Sequence, residues 1–327
     1  MTISINMLTQ ENYKIPNNLN DTKRINEFLS NNRGKKVVVI QGLGFVGAIM
    51  SLVCANAMTE EYAVIGIDLP NKESYWKIKS INDGKFPLSA DDPKILEFFN
   101  QAKIKGNFMA TYDPEIYKYA DIIIVDINLD IKKKSNKNSK LKSFNVNLNN
   151  FEKAIKTIGC NCKEDVLILV ETTVPPGTCE RIVKPIIERE LFSRRLSLER
   201  YKLGHSYERV MPGPNYINSI REFPRVYSGC NELSADAIEV FLKTIIDVSK
   251  CELRRLAHTN ATEMAKVLEN SYRAMNISFL VEWSRFAEEA GVDLYSMINA
   301  IRVRDTHSNL MYPGVGVGGY CLTKDPL

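Results

Sequence analysis

The end of the chain carries a cysteine in a setting that favours chemistry over packing. Cys321 follows residues 314–319, in which four of six positions are glycine, and glycines expose backbone amides and let a substrate approach closely. Lys324 lies near enough in the sequence to stabilise a thiolate, the nucleophilic form of the side chain. Cys321 is therefore predicted to be a nucleophile. Most lone cysteines are instead small buried hydrophobes, which is the interpretation we give to Cys54, Cys179, Cys230 and Cys251.

A glycine-rich turn has the spacing of a phosphate cradle. An apolar strand runs into Gly42, Gly44 and Gly47, the pattern G-x-G-x-x-G, and then into an apolar helix. In a dinucleotide-binding fold the first glycine permits a tight turn, the second lets a pyrophosphate reach the backbone, and the third lets helix and strand pack closely. The backbone amides at the helix start, with those of Phe45 and Val46 among them, would face the phosphates. The alternative is a tight turn that binds no ligand.

An acidic residue stands where the ribose of a dinucleotide would be bound. The apolar run 64–67 predicts a second strand, and Asp68 ends it, 21 positions after Gly47. In dinucleotide-binding folds an acid at this distance accepts hydrogen bonds from the adenosine ribose. We predict NAD as the cofactor rather than NADP, because a carboxylate here repels a 2′-phosphate.

The composition is that of an ordinary globular protein. The chain has 327 residues, 44% hydrophobic and 25% charged, which predicts about two domains and excludes collagen-like, coiled-coil and wholly disordered proteins. A net charge of +4 does not favour nucleic acid as a partner.

The seven cysteines show no disulfide framework, and no apolar stretch is long enough for a signal core or a membrane span. We expect a cytoplasmic protein with no membrane partner. The three histidines lie at no ligand spacing, so no metal site is predicted.

Short apolar runs separated by helix-length segments predict the framework that positions these residues. Such runs are typical of parallel strands covered on both faces. They occur at 37–40, 64–67, 122–125, 166–170 and 226–227, with a last strand expected within 251–256. We predict a doubly wound α/β fold of the Rossmann type, with a parallel sheet, in residues 33–257.

Two segments are predicted to lie outside this framework. Residues 1–32 are polar and rich in Asn, and they are interpreted as an N-terminal extension with one short helix near 25–29. Residues 132–142 contain six lysines and almost no apolar residue, which predicts a mobile, solvated insertion. The alternative role for this insertion is the attraction of an anionic ligand.

A long helix is predicted to begin the last region, residues 258–327. Residues 259–290 contain neither proline nor glycine, and at 1.5 Å per residue a helix of this length spans about 48 Å. Such a helix commonly links domains or lies at a subunit interface, so we predict a homodimer formed through 259–290. A second helix is expected at 294–302. Apolar residues recur at three- and four-residue intervals and form a stripe on one face: Met264, Leu268, Tyr272, Met275 and Phe279.

Together these motifs resemble those of the UDP-glucose/GDP-mannose dehydrogenase family, from about residue 35 to 327. The resemblance implies NAD-dependent oxidation of the C6 alcohol of a UDP-sugar to a carboxylate, with two NAD per turnover. Segment 208–213 is similar to that of members acting on UDP-N-acetylhexosamines, whereas enzymes acting on UDP-glucose usually carry a second acid at the position of Pro212. The matching segments, in family order, are 42–47 with Asp68, 172–178, 208–213, 266–270 and 316–325.

The resemblance implies that the reaction takes place on Cys321. The thiolate would capture the aldehyde as a thiohemiacetal, and a second hydride transfer would leave a thioester. Lys266 and Asn270, four residues apart on the long helix, would lie on one face and donate to the oxyanion. The alternative for this pair is a surface helix on which Lys266 pairs with Glu263 and Glu269.

Further roles follow from the same resemblance. Glu208 would activate the water that hydrolyses the thioester, Thr173 would help to hold that water, and Asp325 would support the water or the lysine of the helix. Thr173 is also expected to lie on the nicotinamide side of the site. Lys72 and Lys324 complete the predicted cofactor contacts.

The family pattern is incomplete in the printed sequence. Members of the family continue past the cysteine motif into another α/β domain, which closes over the nucleotide of the sugar, and this sequence ends at Leu327. Two alternatives to the dehydrogenase therefore stay open. One is a fragment that binds NAD or dimerises without catalysis. The other is a dehydrogenase that performs a single oxidation of a 3-hydroxyacid, and the glycine-flanked Cys321 counts against it.

Overall fold

The structure, a computed structural model, describes residues 2–129, 131–135 and 141–327. The strands are β1 (Ile3–Ile5), β2 (Asn12–Lys14), β3 (Lys36–Gln41), β4 (Tyr62–Ile67), β5 (Phe108–Thr111), β6 (Ile122–Val125), β7 (Ile131–Ser135), β8 (Leu141–Val146), β9 (Leu167–Val170), β10 (Lys202–His205), β11 (Arg225–Gly229) and β12 (Leu253–Arg255).

Helices alternate with these strands through most of the chain. Three short helical turns are also present: 3-10 turns at Pro114–Lys118 and Asp305–His307, and a π turn at Cys179–Val183 that runs into the sixth helix. The α-helices are α1 (Thr22–Asn31), α2 (Gly47–Ala55), α3 (Tyr75–Asn82), α4 (Lys94–Lys105), α5 (Asn149–Asn161), α6 (Lys184–Ser193), α7 (Tyr216–Arg221), α8 (Glu232–Ile245), α9 (Thr259–Glu289) and α10 (Leu294–Arg302).

Eight strands form one sheet in the order β12-β11-β10-β9-β6-β3-β4-β5. The six strands from β10 to β5 are parallel. Strand β3 comes first of these in the chain, with β4 on one side of it and β6 on the other. The order of the strands therefore reverses at β3. In open α/β sheets, ligands bind outside the carboxyl ends of the strands at this switch point.

Helices cover both faces of the sheet. Val38 and Ile40 of β3 pack into one core with α2, α4 and α8, whereas Val37 and Val39 pack into a second core with α1, α5 and α6. Strands β4, β6 and β9 are buried along their whole length, as continuous apolar runs predict for a sheet covered on both sides. The predicted doubly wound fold of the Rossmann type is confirmed.

The strand pattern differs from the prediction at two strands and in one direction. Strands β5 and β10 were not predicted, because each has only four residues and β10 includes a glycine and a histidine. Strand β11 runs antiparallel to β10, with Gly204 opposite Gly229, and β12 follows the direction of β11. A buried apolar run has the same composition in either direction, so the sequence does not reveal this reversal.

The N-terminal residues form structure where an extension was expected. Strands β1 and β2 pair as an antiparallel hairpin, and α1 is longer than the predicted short helix. Three polar side chains of this segment are buried and hydrogen-bonded: Ser4, Asn6 and Asp21 are each less than 9% exposed. Thr111, at the end of β5, donates to Asp21 over 2.8 Å. The polar composition therefore serves contacts with the domain and not only with solvent.

The insertion predicted at 132–142 contains regular secondary structure at its two ends. Strands β7 and β8 pair antiparallel, with Ile131 opposite Val146. Backbone hydrogen bonds form such a ladder regardless of side-chain charge, which is why a lysine-rich composition did not reveal it. The part of the predicted insertion at 136–140 lies outside the described residues.

The chain divides into two compact units. The first comprises 1–129 and 148–263, and the second comprises 130–147 and 264–327, of which the structure describes all but 1, 130 and 136–140. The boundary therefore falls within α9, a few residues after the predicted domain border. In the second unit, Leu280 and Ala287 of α9 pack with Leu294 and Ile298 of α10.

Helix α9 forms nearly as predicted and ends before Gly291, whose φ of 66° suits the left-handed end of a helix. Its predicted apolar stripe is exposed. Met264, Leu268, Met275 and Phe279 each retain more than half of their accessible surface. Among the residues that the structure describes, no helix is sufficiently long and apolar to span a membrane.

Candidate active site

The glycine-rich turn between β3 and α2 has three positions with different surroundings. Gly42 has a φ of 103°, and a Cβ there would lie 2.3 Å from the carbonyl oxygen of Asp126. A Cβ on Gly47 would lie 2.0 Å from the carbonyl oxygen of Gly42. A Cβ on Gly44 would meet no atom within 4 Å. The first and third glycines are therefore required by packing, and the second leaves open space where a pyrophosphate would approach the backbone.

The start of α2 is available to an anion. The helix begins at Gly47 with Val46 at its N-cap position, and no side chain caps it. The cap residue thus supplies no side-chain acceptor to the first amides of the helix, and helix starts of this kind bind phosphate groups. The backbone carbonyl of Phe45 accepts a hydrogen bond of 2.7 Å from the Tyr216 hydroxyl, which holds the turn in place. This turn fits the phosphates of a dinucleotide.

Asp68 lies beside the glycine-rich turn, as the sequence predicted. Its carboxylate accepts hydrogen bonds from the backbone N–H groups of Leu43, over 3.0 Å, and Leu69, over 2.7 Å. Lys77 of α3 approaches it to 3.5 Å. A carboxylate has about four acceptor positions, so Asp68 keeps capacity for the ribose hydroxyls. Lys72 is exposed on the turn before α3.

Two acids follow neighbouring strands at the same edge of the sheet, and the sequence analysis missed both. Asp126 follows β6, and Glu171 follows β9. Arg225, at the start of β11, forms an ion pair with Glu171, and both side chains are at most 2% exposed. Arg225 also donates to the Ser206 hydroxyl over 3.0 Å. The signal that could have revealed these acids is their position directly after a predicted strand, since the carboxyl ends of parallel strands meet at one edge.

This buried group of acids holds a proton near neutral pH. Burial, with the neighbouring carboxylates of Glu171 and Glu208, raises the pKa of Asp126 well above its usual value. Burial raises the pKa of Glu171 to about 7, although the Arg225 guanidinium favours its charged form. Because Arg225 stabilises a charged Glu171, we place the shared proton on Asp126.

Glu208 and Thr173 lie at the same edge, in the loops after β10 and β9. Glu208 is 9% exposed and accepts a hydrogen bond from the backbone N–H of Val210, which fixes its carboxylate against its own loop. Thr173 is half-buried, and its hydroxyl has no hydrogen-bond partner among the described residues. A carboxylate base and an available hydroxyl are the groups that hold and deprotonate a water molecule.

Glu263 holds the turn that follows Thr173, a role that the sequence analysis missed. Its side chain is fully buried and accepts hydrogen bonds from the backbone N–H groups of Gly177, over 2.5 Å, and Cys179, over 2.8 Å. The alternative in which Glu263 pairs with Lys266 on a surface helix is therefore wrong for Glu263. No local signal identifies this role, because Gly177 lies 86 positions away in the sequence.

The second unit brings the predicted residues at the chain end together with Asn270. The Asn270 amide donates to one oxygen of Asp325 and the Lys324 ammonium donates to the other, each over 2.6 Å. The backbone carbonyl of Cys321 accepts hydrogen bonds from the N–H groups of Lys324 and Asp325, which forms one helical turn. Asp325 therefore orients Asn270, and its charge balances that of Lys324.

The thiol and the second predicted oxyanion donor differ in accessibility. Cys321 forms no disulfide and its side chain is partly exposed, as an attack on a substrate requires. Lys266 is 6% exposed and stands one helical turn before Asn270 on α9. The predicted catalytic residues thus fall into two sets. Glu208 and Thr173 belong to the first unit, and Lys266, Asn270, Cys321 and Asp325 belong to the second.

The Rossmann fold, the glycine cradle and the adjacent Asp68 define a dinucleotide-binding domain. Residues 35–245 match the NAD binding domain of the UDP-glucose/GDP-mannose dehydrogenase family, and residues 260–327 match its central domain. The chain belongs to this family, and its first unit contains the NAD-binding domain.

Known relatives extend the comparison. The chain is 28% identical to the UDP-N-acetyl-D-mannosamine dehydrogenase of Pyrococcus horikoshii over 293 residues, 88% of this chain and 62% of that protein. A crystal structure of NDP-N-acetyl-D-galactosaminuronic acid dehydrogenase from Methanosarcina mazei Go1 has a TM-score of 0.70 at 26% identity, covering 92% of this chain and 61% of that one. The chain thus spans about three fifths of the length of these relatives.

The three glycines predict separable effects on binding and stability. Gly44→Val should weaken NAD binding at least about tenfold with little loss of stability, because its Cβ enters open space that the pyrophosphate needs. Gly47→Ala, the control for packing, should lower the free energy of unfolding by about 2 kcal/mol or more, because its Cβ meets backbone. Calorimetric titration with NAD and urea denaturation measure the two effects. Normal NAD binding by Gly44→Val would contradict the assignment of the cradle.

The buried acids predict a dependence of stability on pH. Burial raises the pKa of both Asp126 and Glu171, that of Glu171 to about 7, so the folded chain keeps their shared proton near neutral pH, whereas an unfolded glutamate releases its proton near the ordinary pKa of 4.5. Between these values the folded state binds more protons, so the free energy of unfolding should fall by about 2 kcal/mol as the pH rises.

Asp126→Asn should flatten this dependence, because the amide keeps the shape of the side chain but cannot titrate. Urea denaturation between about pH 5 and about pH 7 measures the slope. Asp91→Asn makes the same change at an exposed position and should retain the slope of the unaltered chain. An equal slope in both variants would show that the proton lies elsewhere.

Proposed function

We propose that this chain is the NAD-binding and central part of an enzyme that oxidises the C6 alcohol of a UDP-sugar to the uronate through Cys321. The observation that carries the proposal is the second unit's turn, in which partly exposed Cys321 shares one helical turn with Asp325, and Asp325 holds the Asn270 amide. A single oxidation of an alcohol to an aldehyde or ketone needs no such thiol. Two consecutive oxidations need the aldehyde to be hydrated or bound covalently, and a thiohemiacetal at such a thiol presents a tetrahedral carbon from which a second hydride can leave.

The substrate we infer is a UDP-N-acetylhexosamine, with UDP-glucose as the alternative. Two observations support it. The relative from Pyrococcus horikoshii is named a UDP-N-acetyl-D-mannosamine dehydrogenase. Segment 208–213 also carries Pro212 where enzymes acting on UDP-glucose usually have an acid, so the loop after β10 presents one carboxylate, that of Glu208.

The residues of the second unit would carry the covalent steps. Bound NAD would supply the hydride acceptor for both oxidations. The Cys321 thiolate adds to the aldehyde carbon and forms a C–S bond, and the carbonyl oxygen becomes an oxyanion. Lys266 and Asn270 donate to that oxygen, and Asp325 keeps the Asn270 amide oriented through its 2.6 Å hydrogen bond.

The acid of the first unit would end the reaction. Glu208 takes a proton from a water molecule held by Thr173, and the water oxygen bonds to the thioester carbon. The C–S bond then breaks, the thiolate of Cys321 is restored, and the uronate is released. Since Thr173 has an available hydroxyl, and Glu263 fixes the turn behind it, this position suits a group that holds water.

The reaction can be tested with the chain and two cofactor equivalents. Incubation with NAD and UDP-N-acetylmannosamine should yield two NADH per sugar, as measured at 340 nm against the uronate formed. Cys321→Ser should lower this rate at least about 100-fold, because the hydroxyl is a far weaker nucleophile. Cys160→Ser, an exposed thiol outside the predicted site, is the matched control and should keep the full rate.

The alternatives predict other results. A 3-hydroxyacid dehydrogenase would form no NADH from the UDP-sugar, and its rate on a 3-hydroxyacid would survive Cys321→Ser. A fragment without catalytic function would bind NAD and form no NADH from any of these substrates. One NADH per sugar with accumulating aldehyde would overturn the thioester step.

We propose further that α9 joins two copies of this chain. The exposed apolar stripe continues past the five predicted residues to Trp283 and Phe286, and aromatic contacts of 6.1 Å and 5.6 Å link Phe279, Trp283 and Phe286. The helix has 31 residues, about 46 Å in length. Two copies crossing about a two-fold axis would bury the same stripe on each other, so one surface serves both partners. Such an extended apolar face is unusual on a monomer.

Phe279→Glu should separate the proposed dimer, because the interface would bury an unpaired charge. We expect at least about a 100-fold rise in the dimer dissociation constant, measured by light scattering with size-exclusion chromatography. Fluorescence of Trp283 should shift to longer wavelength as the indole meets water. Arg273→Glu, an exposed change off the stripe, should leave the dimer intact. A monomeric unaltered chain at about 100 μM would overturn the proposal.

A further inference from the structure

The N-terminal hairpin, strands β1 and β2 with their turn, lies along the whole of α3. Three polar contacts fix it there. Ser4 binds at the start of the helix, Asn6 donates to the Ser80 hydroxyl over 3.2 Å near the helix end, and Glu11 forms an ion pair of 3.0 Å with Lys85 just beyond. The hairpin precedes residue 35, where the match to the family's NAD binding domain begins. It therefore lies outside the residues that this family model matches, and it packs on one element of the coenzyme domain.

Ser4 supplies the cap that α3 lacks locally. The residue at the N-cap position, Ser74, makes no side-chain hydrogen bond to the helix. Instead the Ser4 hydroxyl accepts a hydrogen bond from the Trp76 N–H over 3.0 Å and donates to the Lys72 carbonyl over 2.7 Å. Ser4 itself is fully buried. A single hydroxyl from the start of the chain thus joins the first turn of α3 to the loop before it.

That loop and helix face the adenosine side of the coenzyme site. Lys72 belongs to the loop, and Lys77 of α3 approaches Asp68 to 3.5 Å. Asp68 in turn accepts from the Leu43 N–H of the glycine-rich turn. The position of α3 therefore decides whether Lys77 stays beside Asp68, and so how the Asp68 carboxylate is presented to a ribose.

A second contact ties the N-terminal segment to the same place. Asp21, just before α1, accepts a hydrogen bond from Thr111 and donates its backbone N–H to Asp113 over 2.9 Å. The carbonyl of Thr111 accepts from the N–H of Asp68 over 3.2 Å. The segment thus holds both the strand end beside Asp68 and the helix that follows it.

We propose that Ser4 is a positioning residue for NAD: through the hairpin it holds the Lys72 loop and α3 where the adenosine ribose is bound. The proposal concerns binding of the coenzyme and needs no turnover, so its outcome is independent of which sugar the enzyme oxidises. Only the adenosine half of the coenzyme depends on this contact. Loss of the Ser4 hydroxyl should therefore weaken the binding of NAD and the binding of ADP-ribose by the same factor.

Calorimetric titration of four variants of the full chain tests this. Ser4→Ala should raise the dissociation constants of NAD and of ADP-ribose about fivefold each, the effect of losing one helix cap. Ser4→Thr keeps the hydroxyl, so both dissociation constants should stay within about twofold of those of the unaltered chain. Ser234→Ala is the matched control: it also removes a fully buried hydroxyl, which accepts the Leu203 N–H over 3.1 Å, and should lower the melting temperature without changing either constant.

The opposite result is equally clear. If Ser4→Ala lowers the melting temperature like Ser234→Ala and leaves both dissociation constants unchanged, Ser4 is structural only and the proposal is wrong. A rise in the dissociation constant of NAD without a rise in that of ADP-ribose would also overturn the proposal. Asn6→Ala, the fourth variant, breaks the contact with Ser80 and keeps the cap. If Ser4→Ala does not fold, Asn6→Ala provides the same comparison. We expect it to raise the dissociation constants of NAD and of ADP-ribose about twofold.

Discussion

The first unit depends on a backbone crossing that leaves no space for side chains. The turn at Gly42, the start of α2 at Gly47 and the end of β6 at Asp126 lie so close that a Cβ on either glycine would overlap a carbonyl oxygen. This contact sets the angle between helix and sheet, and therefore the direction in which the first amides of α2 face. The open side at Gly44 is a consequence, because the chain turns away there. Phosphate binding is thus built from main-chain packing, and side chains are recruited around it.

The reversed strand β11 solves a problem that the parallel strands create. Parallel strands end at one edge of the sheet, and here they deliver Asp126, Glu171 and Glu208 to it. Buried acids repel one another and lose hydration, so the edge needs a cation. Because β11 runs against β10, its first residue lies at that same edge, and this residue is Arg225. A parallel β11 would have placed the arginine at the opposite edge, and the acids would lack their buried partner.

The sequence predicted features that depend on neighbouring residues and missed those that depend on strand order. The roles of Gly42, Gly44 and Gly47 are visible in the spacing of one short segment, and the fold around them follows from apolar runs of recognisable length. Asp126, Glu171 and Arg225 come from three distant segments, and their contact exists only after β6, β9, β10 and β11 have taken their places. The alternative that placed Glu263 on a surface failed for the same reason, since the amides from which Glu263 accepts hydrogen bonds are 84 and 86 positions away.

The spacing between Cys321 and Asp325 has a structural reason that the motif alone does not reveal. The carbonyl of Cys321 accepts the N–H of Asp325 over 2.8 Å, an interaction between residues four apart in one helical turn. Moving the acid by one position would rotate its carboxylate by about 100° around that turn and away from Asn270. The same carboxylate also binds Lys324, so the positive charge nearest the cysteine in sequence is already balanced.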